Sequence, residues 1–253
     1  MILRLVAFLL LFTSAMWSCE LAILYPEYQC DTSGDHAVYY SFPEYRSYGS
    51  YASRPIQLDY IITEEEYSEA VHSSYIRNNC LLGGLGVYVD SECDCVKAIA
   101  SELQQRMDES PHRFTDYDKC LAILMFVRSA VDYRYDIDQY HRADYIAYPV
   151  ETLYTGKGDC EDVAILFTSI AIAMGLDAVL VERPSHAVAG VRLTGNEGYS
   201  VDGYTLFECT GYTYMGSSPQ DRDDKWSVVQ PMERSWLGKL NEEWRGALHI
   251  IGV

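Results

Sequence analysis

Residues 156–175 constrain the fold of this chain more than any other stretch. They run Gly156, Lys157, Gly158, Asp159, Cys160, Glu161, Asp162, Val163, Ala164, and then keep Ile165, Leu166, Ile170, Ala171 and Met174 on an apolar face as far as Gly175. The paired glycines suit a tight turn with close backbone approach. Asp159 is a good N-cap with Asp162 three residues on, and Gly175 is placed as a C-terminal stop. The spacing therefore predicts a helix of about four turns with Cys160 in its first turn. There the unpaired N–H groups and the helix dipole favour a thiolate and can hold an oxyanion.

A nucleophilic thiol needs a base, and the base needs an orienting acceptor. Downstream of the helix, strands are expected over 176–181, 186–193 and 204–210, broken by Pro184 and Ser185 and by a turn at Asp202 and Gly203. His186 opens one of these strands. Glu208 lies on a later one, sharing a face with Leu206 and Thr210 by the period of two. Asp202 is the competing acid, but it fits a turn residue well. A lone helical cysteine is usually core, and a lone histidine at a strand end is usually surface. The glycine turn, the N-cap and the helix–strand–strand order of Cys160, His186 and Glu208 together point to a catalytic set.

The run from Gly158 to Ala164, followed by a strand-borne histidine and a strand-borne acid, resembles the transglutaminase-like superfamily, and in particular archaeal transglutaminase-like proteins and bacterial transglutaminase-like cysteine proteinases. The lead-in Pro149, Glu151, Thr152, Leu153 is also similar to the archaeal members. The resemblance covers about 113–216. It implies an α+β fold with a papain-like core, a central helix carrying the cysteine on an antiparallel sheet, and a mixed α/β N-terminal extension. It makes Cys160 the nucleophile, His186 the general base and acid, and Glu208 the residue that orients the imidazole. Three departures stand out: a glutamate where most relatives have aspartate, an interval of 26 residues between Cys160 and His186, and Val188 where an aromatic often follows the histidine. The last two argue against protein crosslinking.

Asp159, Glu161 and Asp162 crowd the cysteine with negative charge, which opposes thiolate formation. The likeness to the bacterial proteinases implies a Ca²⁺ site at Asp159 and Glu161, whose oxygens suit a hard cation; no other cofactor is required. Tyr154, six positions before the cysteine, is a candidate second oxyanion donor. The expected activity is that of a cysteine peptidase or amidase acting on peptide or isopeptide amides through a thioester, with a protein or peptide as its partner. The alternatives are a non-catalytic cell-surface binding module and a crosslinking acyltransferase. A metal site at Cys93 and Cys95 lacks a second Cys/His pair at ligand spacing.

Composition sets the surroundings. A net charge of −18, from 37 acidic against 19 basic side chains, argues against a nucleic-acid partner. Arg4 followed by an apolar run at 5–12 and by Thr13, Ser14 and Ala15 reads as a signal peptide or N-terminal anchor, so the protein is expected to be exported, extracellular or at the cell surface. Membrane contact is expected only through that segment or a lipid on Cys19. The expected divisions are 1–18, an extension at 19–112 with short strands among its tyrosines, a catalytic domain at 113–216, and a C-terminal loop and helix at 217–253. With Cys19 and Cys160 set aside, Cys30, Cys80, Cys93, Cys95, Cys120 and Cys209 permit up to three disulfides in an oxidising compartment.

Overall fold

The tyrosine-rich segment folds as short antiparallel ribbons, because aromatic side chains fit a pleated surface and Pro43, Gly49 and Pro55 bound the runs. These are β1 (His36–Ser41), β2 (Glu44–Arg46), β3 (Ser50–Ala52) and β4 (Pro55–Ile62), paired β1 with β4 and β2 with β3. The computed structural model describes residues 34–41, 44–46, 50–52, 55–80, 84–195, 198–210 and 226–231. The expected leader, Cys19, Cys30 and the C-terminal helical pattern lie outside the described residues.

Helix α1 (Glu64–Cys80) begins after Thr63, whose hydroxyl accepts from Glu66 N while Glu66 Oε2 accepts from Thr63 N at 2.8 Å. That capping box ends β4 and starts the helix at Glu64. A 3₁₀ turn (Leu85–Tyr88) leads to α2 (Asp94–Glu109), and α3 (Asp116–Ala130) opens on a second capping box between Thr115 and Asp118. Next come β5 (Asp132–Tyr133), the short α4 (Asp136–Gln139), α5 (Pro149–Thr155) and β6 (Lys157–Gly158), with β5 and β6 parallel. Helix α6 (Cys160–Ala173) follows. Its Schellman-type end, with Gly175 at φ 80° and Leu176 N donating to Ala171 O at 3.0 Å, delays the next strand to Ala178.

The central sheet is antiparallel, in the order β11-β7-β8-β10-β9, from β7 (Ala178–Arg183), β8 (His186–Val191), β9 (Ser200–Val201), β10 (Tyr204–Phe207) and β11 (Ser227–Val229). Asp202 and Gly203, both at positive φ, turn β9 into β10. Helix α6 lies on this sheet: Val163, Leu166, Phe167 and Ile170 pack into one core with Ala189, Val191 and Phe207, joined by α2, α3, β1 and β4. This is the α+β architecture expected, with two boundaries moved. Strand β11 pairs with β7, so the sheet runs past the limit at 216, and β1 and β4 share the main core rather than forming a separate extension.

The disulfide expectation is corrected. Cys93, Cys95, Cys120, Cys160 and Cys209 are not joined in disulfides, so three bridges do not form. Cys120 and Cys209 are buried in the core, where a thiol packs as a small hydrophobe. The Cys209 thiol donates to Phe207 O at 3.5 Å.

Candidate active site

Backbone geometry places Cys160. Gly156 ends α5 in the left-handed conformation at φ 62°, and Gly158 passes so close to Asp162 that an added Cβ would lie 2.8 Å from the Asp162 Cβ. The chain can then turn at Asp159 and enter α6 with Cys160 as its first helical residue. Position alone leaves the first-turn N–H groups of α6 without intrahelical acceptors. The half-buried Cys160 thiol donates to Glu161 Oε2 at 2.9 Å and accepts from the backbone N–H of Ala187, the residue after His186. Burial, then the charge of Glu161 and the hydrogen bond to it, push this thiol above its ordinary value. The carboxylates and burial outweigh the helix dipole.

His186 and Glu208 meet directly. His186 Nε2 lies 2.7 Å from Glu208 Oε2, and both side chains are largely buried. Glu208 sits one residue beyond β10, which is shorter than the sequence predicts, and Arg128 Nη2 donates to its backbone oxygen at 2.6 Å. Its other carboxylate oxygen accepts from Thr210 N at 2.9 Å and Thr210 Oγ1 at 2.6 Å. Burial works to raise the carboxyl, but the hydrogen bonds from His186 and Thr210 prevail and hold it at about 2. Glu208 is thus a fixed carboxylate on one ring nitrogen. The other, Nδ1, remains available on an imidazole whose neighbour Ala187 already touches the Cys160 sulfur.

Tyr154 is placed elsewhere. Its hydroxyl donates to Gly34 O at 2.7 Å, and its ring stacks between His36 and Tyr67 at centroid distances of 4.2 and 4.1 Å. It is a core residue, because one turn of α5 beyond Pro149 faces β1 rather than Cys160. Tyr154→Phe should therefore cost about 1 kcal/mol in urea unfolding through the lost buried hydrogen bond, with kcat unchanged. The aromatic that does feel the cysteine is Tyr133, which pairs with Gly158 across the β5–β6 bridge. Burial and then the charges of Cys160 and Asp159 raise its phenol. It is 45% exposed, beside exposed Tyr135 and Ile137. Periodicity marks Tyr133 only as a helix end. Nor does it reveal Trp226, whose indole lies edge-on to His186 at 6.4 Å between ring centroids, from beyond the expected domain limit.

The acids around Cys160 form a larger group than Asp159 and Glu161. Oxygens of Asp136, Asp159 and Asp162 lie within 4.8 Å of one another, and so do those of Asp136, Asp144 and Glu161. Asp162 Oδ1 accepts from Ala147 N at 2.8 Å and Asp136 Oδ2 from Tyr145 N at 2.6 Å. Asp136 Oδ1 and Asp159 Oδ1 are buried without a hydrogen-bond partner. Burial first, then mutual repulsion, raises Asp159 to about 10; burial, only partly offset by the Tyr145 N–H, raises Asp136 to about 7. An all-oxygen set with two orphaned buried acceptors fits a hard cation in donor type. Glu151, from the lead-in motif, stands outside this group and supports it. Its carboxylate accepts from Tyr148 N at 2.9 Å and Tyr145 Oη at 2.7 Å, fixing the loop that carries part of the set.

A family model for the transglutaminase-like superfamily matches residues 101–229, half of the chain. The chain belongs to the transglutaminase-like superfamily. No curated protein matches it. Domains of this superfamily are typically cysteine-based enzymes, and the matched span takes in α3, α6 and the whole central sheet, including β11. None of the described helices is long and apolar enough to cross a membrane.

Proposed function

We propose that this transglutaminase-like domain is an exported cysteine peptidase or amidase that cleaves peptide or isopeptide amides with Cys160, His186 and Glu208. The observation that carries the reading is the 2.7 Å contact between His186 and an ionised Glu208, next to the Ala187 N–H that holds the Cys160 sulfur. Because the thiol is raised, it stays protonated near neutral pH, and His186 Nδ1 takes its proton as Sγ attacks the carbonyl. The N–H of Cys160 donates to the developing oxyanion, and the imidazolium, steadied by Glu208, returns the proton to the leaving amine. Water, activated by the same imidazole, then resolves the thioester. The exposed Tyr133, Tyr135 and Ile137 favour a peptide that presents an aromatic or large aliphatic side chain near the scissile bond. Incubation with a peptide library, with and without a primary amine, tests the reading. Hydrolysed products that vanish with Cys160→Ala are expected. Amine-linked products alone would make the enzyme an acyltransferase, and no turnover would favour a binding module.

The orphaned oxygens of Asp136 and Asp159 support a Ca²⁺ site at these residues with Glu161, Asp144 and Asp162. A cation held there would offset the carboxylate charge around Cys160. Millimolar Ca²⁺ should raise Tm and speed iodoacetamide labelling of Cys160, and Asp136→Asn should remove both effects. Calorimetry with no Ca²⁺ uptake at millimolar concentration would end the idea.

A further inference from the structure

Cys93 and Cys95 have no part in the chemistry above, yet their sulfurs lie 2.9 Å apart. We propose that they form a second thiol site, a redox-active dithiol that reacts with small-molecule disulfides of the glutathione class and closes to a reversible Cys93–Cys95 disulfide. Cys93 is the N-cap of the 16-residue α2 and is partly exposed, while Cys95, two residues into the helix, is fully buried. An incoming disulfide therefore meets Cys93 first. The hydrogen bond shared with the Cys95 sulfur, together with the N–H groups of Val96 and Cys95, holds the Cys93 thiol below its ordinary value against the effect of burial. That same contact and burial hold Cys95 well above its own ordinary value. The asymmetry assigns the roles: Cys93 attacks and Cys95 resolves.

The turn that presents the pair is fixed. Asp90 Oδ1 accepts from Cys93 N at 3.0 Å and from Glu92 N at 3.1 Å, and Asp90 N donates to Ser169 Oγ on α6 at 3.0 Å. Ser169 lies nine residues beyond Cys160, about 13 Å along the helix at its usual rise, so the dithiol is tied to the far part of α6 and is distinct from the candidate active site. The charged groups facing it are Asp90 and Glu66, the latter from α1. In the first step the Cys93 thiolate forms a bond to one sulfur of the small disulfide. The old S–S bond breaks, and the first small thiolate leaves. The Cys95 sulfur then bonds to Cys93 Sγ and expels the second small thiolate, which carries away the Cys95 proton. The protein loses two electrons, and the small disulfide is reduced to two thiols.

The test equilibrates the full chain in graded ratios of reduced to oxidised glutathione, quenches with acid and alkylates with N-ethylmaleimide. Cleavage after glutamate then releases residues 93–102 for mass spectrometry. Expected is a peptide two hydrogens lighter and unalkylated at oxidising ratios, reverting to the doubly alkylated form at reducing ones. Cys95→Ser should trap Cys93 as a mixed disulfide with glutathione, and Cys93→Ser should leave Cys95 unmodified. Cys160→Ala should change none of this. Double alkylation of the wild-type peptide at the most oxidising ratio would overturn the proposal without recourse to any variant. So would loss of closure in Cys160→Ala, or equal adduct formation in the two single serine variants.

Discussion

His186→Ala should lower kcat by about 10³-fold or more, and it should slow iodoacetamide labelling of Cys160 near neutral pH while also lowering Tm. The kinetic effect follows from the state of the thiol. Cys160 is held above its ordinary value by burial and by Glu161, so the domain does not keep a standing thiolate. It needs a base at the moment of attack, and His186, one residue from the Ala187 N–H that touches the sulfur, is placed to supply one. The loss of stability follows from leaving the largely buried Glu208 carboxylate without its partner at 2.7 Å. Cys160 labelling that is equally fast in the variant and the wild type would mean that the thiol is activated by something else, and the triad reading would fall.

The helix bearing Cys160 is legible in the sequence because its signals are local: glycines at Gly156 and Gly158, an N-cap at Asp159 and a stop at Gly175 each act within one turn of backbone. The meeting of His186 with Glu208 is partly legible, since β8 and β10 pair antiparallel with Phe207 opposite Ala189, which brings the start of one strand to the end of the other. The place of Tyr154 is not, because six positions before the cysteine says nothing about which way α5 faces, and its partner Gly34 is 120 residues away. Trp226 and β11 escape for the same cause: only the β7 edge to which they pair reveals them. The acid group is half visible. Asp159 and Glu161 flank the cysteine in sequence, but Asp136 and Asp144 reach it through a loop set by Glu151, which no spacing rule encodes.

Glu208→Gln should reduce kcat by about 10²–10⁴-fold while sparing the fold, a larger loss than the removal of a single surface charge would produce. On the proposed reading, the carboxylate 2.7 Å from His186 Nε2 favours the tautomer that carries its proton there and leaves Nδ1 as the acceptor. Glutamine turned to donate its amide to Nε2 stabilises the opposite tautomer, with the proton on the nitrogen that must receive the one from Cys160. It also removes the charge that steadies the imidazolium. The same substitution carries a pH signature in stability. Glu208 falls from an ordinary 4.5 to about 2 in the folded protein, so its contribution is fully present above 4.5 and is lost as pH falls towards 2. Urea unfolding should show the variant less stable than the wild type by the same margin at pH 7 and pH 5.5, and by a smaller margin at pH 3. A margin that stays constant down to pH 3 would show that the carboxylate is not ionised by its contact with His186 and Thr210. The orienting role would then have to pass to another group.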